Sequence, residues 1–164
     1  MNNETQDPGK RICHSSVLFR RVLDRVVARE SAGYTDSVSC RTFWVLDYIK
    51  KHEGENVCQK DLETVFQIRR STVSRTVELM EQKQLITREA VSGDARLKKL
   101  CLTDKAETVL EAISKGIAEV EEAVRASFSS EEFQILMGLL SKMDDILQSP
   151  NLPGNKEKGG ECQC

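Results

Sequence analysis

The feature that most constrains this fold is a single change of hydrophobic period, at residues 85–102, in a chain whose other apolar residues repeat at helical spacing. Two short apolar segments, 85–89 and 98–102, flank Ser92-Gly93-Asp94-Ala95, which has the composition of a turn. They predict a β-hairpin with a basic tip. The long segments on either side are predicted to be helical, so we expect a mainly α (α+β) fold.

Six helices are predicted around this hairpin, since the apolar residues outside it recur at steps of three and four. Gly33 is placed to end the first helix, and Ser39 to begin the second as its N-cap. Ser129 and Glu132 have the spacing of a capping box, which begins the last helix. The predicted helices cover about 11–33, 39–53, 58–66, 70–83, 103–127 and 129–148.

The fifth helix has an apolar stripe longer than a small lobe needs, and the first and sixth helices carry apolar stripes as well. In the fifth helix the stripe runs from Ala106 to Val124, and a helix of that kind extends to roughly 36 Å. The stripe of the first helix begins at Leu18, and that of the sixth runs from Phe133 to Leu147. We expect part of these stripes to pack against another subunit.

Charge is distributed unevenly along the chain. The net charge of the 164 residues is -2, but residues 57–103 carry nine basic and six acidic side chains. Residues 104–164 carry six basic and twelve acidic ones. Because local potential steers association, a polyanion is expected to approach the middle of the chain.

Several classes of protein are disfavoured by the sequence. No apolar run approaches the ~18 residues that a membrane span needs, and residues 1–10 are too polar for a signal peptide. We therefore expect a cytoplasmic protein without a membrane partner. The six cysteines include no CxxC pair, so free thiols are expected, with no metal and no other cofactor. The sequence has no glycine-rich phosphate loop and no HExxH motif, so an enzyme is not expected.

The order of helix, short helix, turn, helix and hairpin is that of a winged helix-turn-helix. Two segments resemble the MarR family of transcriptional regulators: Val57–Ile86, which includes Ser71-Thr72-Val73-Ser74-Arg75, and the wing pattern Asp94-Ala95-Arg96 leading to Leu100-Cys101-Leu102-Thr103. The chain departs from the family at Cys58, where a hydroxyl residue usually caps the short helix, and at Gln67, which replaces a turn glycine. The resemblance implies long N- and C-terminal dimerisation helices around the winged helix-turn-helix.

The chemistry of the fourth helix agrees with this resemblance. Hydroxyl and arginine side chains near a helix N-terminus can approach base edges, and the free N–H groups there attract phosphate. The resemblance implies that Arg96 enters the minor groove, that Asp94 holds it, and that Lys98 and Lys99 contact the DNA backbone. The candidate DNA-binding residues are Arg69, Arg70, Ser71, Thr72, Ser74, Arg75, Asp94, Arg96 and Lys98.

The resemblance also implies a homodimeric regulator, in most cases a repressor, whose two reading heads stand about one turn of DNA (~34 Å) apart. Release from a palindromic operator is then expected from a small lipophilic or phenolic ligand, or from thiol oxidation. Cys13 is the candidate redox sensor, and His14, Trp44 and Tyr48 are candidates for a ligand pocket. The alternative for each of these four is an ordinary surface or core residue.

The expected partners are a double-stranded DNA operator, a second copy of the chain and a small-molecule effector. The alternative from another class is a winged helix that binds protein and not DNA. The expected organisation is a disordered N-terminus (1–9), a dimerisation helix (10–33), a winged helix-turn-helix lobe (34–103), dimerisation helices (104–148) and a flexible tail (149–164).

Overall fold

The structure, a computed structural model, describes residues 7–36, 38–91 and 94–153, with the backbone alone at 94–96. Within these ranges it contains six helices and one antiparallel two-stranded sheet, which confirms the mainly α winged-helix fold. The helices are α1 (Pro8–Ser31), α2 (Cys40–Lys51), α3 (Gln59–Val65), α4 (Arg70–Gln82), α5 (Asp104–Ala126) and α6 (Ser130–Gln148), and the strands are β1 (Ile86–Val91) and β2 (Asp94–Leu102).

Helix α1 begins earlier than the sequence pattern predicted. Asp7 is its N-cap and accepts a hydrogen bond from the backbone N–H of Lys10 at 3.2 Å, and Pro8 occupies the first helical position. Proline suits that position because its φ is already helical and an N–H there would have no partner within the helix. Pro8 and Gly9 are therefore helical, not disordered. Residues 1–6 and the tail from residue 154 lie outside the described residues.

Both strands of the hairpin are longer than predicted. β1 extends to Val91 and β2 begins at Asp94, with Ile86 opposite Leu102 and Glu89 opposite Lys99. Residues 87–90 of β1 are all exposed. The outer part of this strand therefore lacks the alternation of buried and exposed side chains from which a strand is recognised in a sequence.

One hydrophobic core joins the elements of the first of two compact units, which covers residues 1–120. The C-terminal half of α1, the inner faces of α2 and α4, the base of the hairpin and the N-terminal part of α5 contribute to it. The apolar stripes predicted for α2 and α4 are confirmed. The largest fully buried side chains are Leu46, Leu62, Met80, Leu85, Ile86 and Ile113.

The apolar stripe of α1 is buried only in its C-terminal part. Leu23, Val26 and Val27 are buried, whereas Leu18 and Phe19 are 47% and 44% exposed. Within the described chain only the C-terminal part of this stripe is covered. The N-terminal part of α1 presents an uncovered apolar face.

The second compact unit covers residues 121–164, of which 121–153 are described. The predicted capping box begins α6: Ser129 Oγ accepts from the N–H of Glu132 at 3.2 Å, and the Glu132 carboxylate accepts from the N–H of Ser129 at 2.9 Å. No residue of α6 is buried: Phe133, Leu136 and Met143 of its stripe are half-buried, whereas Met137, Leu140 and Leu147 are exposed. Its apolar side is therefore covered only in part. Despite these apolar faces, no helix in the described ranges is both long and apolar enough to cross a membrane.

Helices α1 and α5 meet at Gly116. A Cβ at this position would lie 2.7 Å from Val26 Cγ1 and 2.9 Å from Glu30 Cγ. Val26 is buried among other core residues and has little space into which to move. The missing side chain therefore permits the close packing of the two helices.

We predict that Gly116→Ala lowers the free energy of unfolding by about 1–3 kcal/mol, because the added methyl group overpacks the contact between α1 and α5. Gly138→Ala is the matched control, since a Cβ at Gly138 on α6 would meet nothing within 4 Å. The control should be neutral or stabilising by about 0.5–1 kcal/mol. Urea denaturation followed by circular dichroism measures both, and equal effects would contradict the close-contact explanation.

Candidate nucleic-acid interface

Helix α4 has one buried and one exposed face. Val73, Val77 and Met80 are buried in the core. Thr72 and Ser74 are half-buried at the edges of the exposed face. The exposed residues of α4 between its ends, here called the outer face of α4, are Ser71, Arg75, Glu78, Leu79, Glu81 and Gln82. The core contact of the helix thus determines which of the candidate residues are presented to a ligand.

The sequence analysis missed the second half of the outer face. Glu78 and Gln82 follow Ser71 and Arg75 at steps of three and four residues, which places all four on one side of the helix. The signal that could have identified them is the helical period, continued beyond the hydroxyl-rich first turns. The candidates in α4 were chosen for arginine and hydroxyl side chains near the helix N-terminus, so the later exposed positions were left out.

The N-terminus of α4 is not capped by a side chain. Arg69 is the N-cap and has extended backbone geometry, with no hydrogen bond from its side chain to the first turn. Its carbonyl oxygen accepts from the N–H groups of Thr72 and Val73, at 2.9 and 3.1 Å. The exposed Arg69 and Arg70 lie beside this helix end. Unsatisfied N–H groups, the helix dipole and two guanidinium groups together favour an anion there.

The turn between α3 and α4 requires a left-handed residue, and Gln67 supplies it with φ 49°. The N–H of the next residue, Ile68, donates to the carbonyl of Glu63 at 3.3 Å. Glycine adopts this conformation without steric cost, whereas another residue loses roughly 1–2 kcal/mol. Gln67 therefore forms the left-handed turn at a steric cost that glycine would not have.

The hairpin is tied to α4 by an ion pair that the sequence analysis did not predict. Arg88 Nε of β1 lies 3.1 Å from Glu81 Oε2 of α4. Across the hairpin, Lys99 Nζ lies 2.9 Å from Glu89 Oε2, and both residues occupy opposed positions of the ladder. The first contact links the wing to α4, and the second joins the two strands of the wing. No spacing in the sequence relates Arg88 to Glu81.

The wing candidates are described to different extents. Lys98 is exposed on β2, opposite Ala90. Asp94 and Arg96 lie in β2 by their backbone, but their side chains are outside the described residues. Their roles in holding and entering a minor groove remain predictions.

A cleft of about 480 Å³ separates α3, the start of α4 and the wing. Lys60, Arg70 and Lys98 contribute three cationic side chains to its lining, and Arg88 adds a fourth that is paired with Glu81. Glu63 is the one acidic residue of the lining. The cleft therefore extends the positive charge of the α4 N-terminus toward the wing.

The start of α3 shows how the chain accommodates a cysteine at its N-cap. Asp61 Oδ2 accepts hydrogen bonds from the backbone N–H of Cys58 at 2.8 Å and from its thiol at 2.9 Å. These two bonds lower the pKa of Asp61. Burial raises the pKa of the Cys58 thiol, and the neighbouring carboxylate raises it further. The capping role that a hydroxyl usually fills is thus taken largely by the carboxylate.

The other cysteines differ in their surroundings. Cys13 is exposed on α1. Cys40 is buried and accepts a hydrogen bond from Trp44 Nε1 at 3.1 Å, and burial raises its pKa. Burial also raises the pKa of Cys101. Cys162 and Cys164 lie outside the described residues. Among those that are described, no group of three or more histidine, cysteine or acidic side chains is arranged to hold a metal ion.

The ring contacts of the pocket candidates are local. Tyr48 stacks on His52, with centroids 4.0 Å apart, and meets Phe66 edge-on at 5.9 Å. Trp44 packs edge-on against Phe43 at 4.9 Å. No ring contact of the described residues includes His14, which is exposed on α1. A ligand pocket formed by His14, Trp44 and Tyr48 remains a prediction.

Comparison with known proteins finds one family model that is similar to the winged helix. The family model for the MarR family matches residues 33–97, which include α2, α3, α4 and most of the hairpin. The match contains the outer face of α4 and most of the lining of the cationic cleft, except Lys98 and Leu100.

Solved structures share the fold along most of the chain. MepR from Staphylococcus aureus, crystallised with DNA, is 23% identical with a TM-score of 0.77, and the match covers 90% of this chain and 100% of MepR. The transcription regulator MarR from Oenococcus oeni PSU-1 is 24% identical with a TM-score of 0.66, over 85% of this chain and 99% of that one. MarR from Staphylococcus aureus, in complex with salicylate and kanamycin, is 19% identical with a TM-score of 0.68, over 88% and 95%.

We predict that Asp61→Asn makes the stability of the protein less dependent on pH in the acid range. A carboxyl group whose pKa is lowered by folding stabilises the native state above its unfolded pKa, about 3.9, and this contribution is lost as the pH falls through the folded pKa. Urea denaturation at intervals from pH 6 to pH 2 measures the difference. Cys58→Ser, whose hydroxyl can keep the bond to Asp61, should retain the slope of the wild type.

Proposed function

We propose that the protein is a transcriptional regulator of the MarR family, whose model matches residues 33–97, and that it binds double-stranded DNA through its winged helix. The single observation that carries the proposal is the outer face of α4, which presents Ser71 and Arg75 beside an uncapped, arginine-flanked helix end. In this proposal α4 enters the major groove, and the wing lies along the adjacent backbone and minor groove.

The proposed contacts fall into two groups. Ser71, Thr72, Ser74 and Arg75 are assigned to base edges and nearby phosphates, because α4 holds them in or beside its exposed face. Arg69, Arg70 and Lys98 are assigned to phosphates near the cationic cleft, where charge matters more than sequence. Asp94 and Arg96 are assigned to the wing tip by family resemblance alone.

We propose a homodimer formed through the uncovered faces of α1 and α6. Both faces carry large exposed apolar side chains, among them Leu18 and Phe19 on α1 and Ile135 and Leu139 on α6. Their charges are also complementary: α1 carries six basic and two acidic residues, and residues 121–153 carry six acidic and two basic ones. A second copy of the chain would cover these apolar side chains and pair the opposite charges. The resulting dimer would place two α4 helices on one palindromic operator.

We further propose that the protein is a repressor, acts in the cytoplasm and is released from DNA by a signal. A small lipophilic or phenolic effector is supported by the Staphylococcus aureus MarR structure, which contains salicylate and kanamycin. Thiol oxidation is the alternative signal, and the exposed Cys13 is its candidate because burial raises the pKa of Cys40, Cys58 and Cys101 and so makes these thiols less reactive. Adding salicylate or a hydroperoxide to the protein–DNA complex distinguishes the two signals.

We predict that Arg75→Ala weakens binding to a duplex selected by the protein from a random library by about 5- to 150-fold, as the loss of one base-edge contact does. Arg41→Ala is the matched control, because Arg41 is exposed on α2 and its removal changes the charge equally. Fluorescence anisotropy measures both affinities.

The same assay tests DNA binding against the alternative of a protein-binding winged helix. Wild-type affinity for DNA should fall on the order of 100-fold between 50 and 200 mM salt, because several phosphates release counterions. Failure to bind any duplex at low salt would exclude the proposed function.

We predict that Leu139→Asp converts the dimer to a monomer, because it places a charge in the apolar face of α6, where Leu139 is 61% exposed in the single chain. Ser141→Asp is the control, because it adds the same charge on the opposite, polar side of the helix. Sedimentation velocity gives the oligomeric state of each. A monomeric wild type, or a dimeric Leu139→Asp variant, would contradict this interface.

A further inference from the structure

The outer face of α4 carries two carboxylates in different environments. Glu81 is paired with Arg88 of the wing at 3.1 Å. Glu78 is exposed and forms no ion pair with any side chain that the structure describes. Its contact is a neutral one, since Ser74 Oγ donates a hydrogen bond to Glu78 Oε1 at 3.1 Å. The contacts assigned above to phosphates and bases leave Glu78 without a role.

An unpaired carboxylate on a surface that meets DNA opposes binding. At the distances of a protein–DNA contact, the repulsion between a carboxylate and phosphates is only partly screened at physiological salt. The cost is offset if the carboxylate accepts a hydrogen bond from a base. Glu78 lies one turn beyond Ser74 and beside Arg75 on the outer face of α4, the face that the proposed function places against base edges.

The chemistry of a carboxylate restricts the base that it can read. An ionised carboxylate only accepts hydrogen bonds. In the major groove guanine presents two acceptors, thymine presents an acceptor and a methyl group, and adenine presents an acceptor beside its amino donor. Cytosine presents its N4 amino donor there without an acceptor. Cytosine is therefore the base that fits an isolated carboxylate.

The bond to Ser74 prepares Glu78 for this contact. It engages Oε1 and so restricts the rotation of a flexible side chain, while Oε2 is left available on the exposed side. The hydroxyl proton is directed to Glu78, so the remaining lone pairs of Ser74 Oγ also act as acceptors. Ser74 and Glu78 together form a surface that only accepts hydrogen bonds.

We propose that Glu78, held by Ser74, reads the amino group of a cytosine in the major groove of each operator half-site. This inference rests on the proposed function, because it assigns a specificity-determining residue to the DNA contact of α4. It divides the outer face of α4 into a cationic part that attracts the duplex and an acceptor part that discriminates among sequences.

The test is a selection of duplexes from a random library, carried out with the full-length wild type and with Glu78→Gln. The wild type should enrich one cytosine per half-site that the variant does not enrich. Glutamine carries a donor as well as an acceptor, so the variant should favour adenine at the same position. Glu81→Gln is the matched control: it removes the same charge from the same helix and should keep the preference for cytosine, even where the loss of its pair with Arg88 changes the overall affinity.

A binding measurement gives the size of the effect. Replacing the selected C·G pair by T·A should weaken wild-type binding by about tenfold, as expected for one lost base contact, and should change binding of Glu78→Gln little. Glu78→Asp retains the charge but withdraws the carboxylate by one methylene group. It should lose the preference for cytosine as well, which separates a contact from a charge effect.

The possible results distinguish an error in the inference about Glu78 from an error in the proposed function. If the wild type enriches an operator and Glu78→Gln enriches the same bases, the inference about Glu78 is wrong and the proposed function stands. The same conclusion follows if Glu78→Asp keeps the full discrimination. If the wild type enriches no sequence, the proposed function itself fails.

Discussion

The burial of one side of α4 is the constraint on which the rest of this structure depends. Val73, Val77 and Met80 are in the core together with Leu85 and Ile86 at the base of the hairpin. A helix fixed along one side can offer only the other side to a ligand, so the core contact selects the outer face of α4. It also holds the start of the wing beside the end of α4. The packing of apolar side chains thus decides the geometry of a polar interface.

Electrostatics then divides that interface. The α4 N-terminus and the cleft toward the wing collect cationic groups, including Arg70 and Lys98. The ion pair between Arg88 and Glu81 removes one negative charge from the potential of the helix and joins α4 to the wing. Among the described residues Glu78 has no cationic partner, and it accepts a hydrogen bond from Ser74. The affinity for DNA and the specificity for its sequence can therefore depend on different residues of the same helix.

The departures from the family pattern show which local features the fold tolerates. Gln67 adopts the left-handed conformation that a glycine would adopt more easily, because the surrounding core fixes the angle between α3 and α4. Cys58 is a poor capping acceptor, and Asp61 supplies the capping interaction in its place. In both positions a modest local cost is outweighed by the burial of apolar surface, which is shared by the whole lobe.

The sequence by itself determined the order of the elements, the buried stripes of α2 and α4 and the hydroxyl-rich start of α4, because these depend on periodicity and on caps within a few residues. It did not predict that α1 begins at Pro8 or that β1 extends to Val91, since single caps and exposed strand residues give weak signals. Only the tertiary structure decided that Arg88 meets Glu81 and that Gly116 lies against Val26. These contacts join residues whose spacing along the chain follows no period, because the folding of the backbone in three dimensions brings them together.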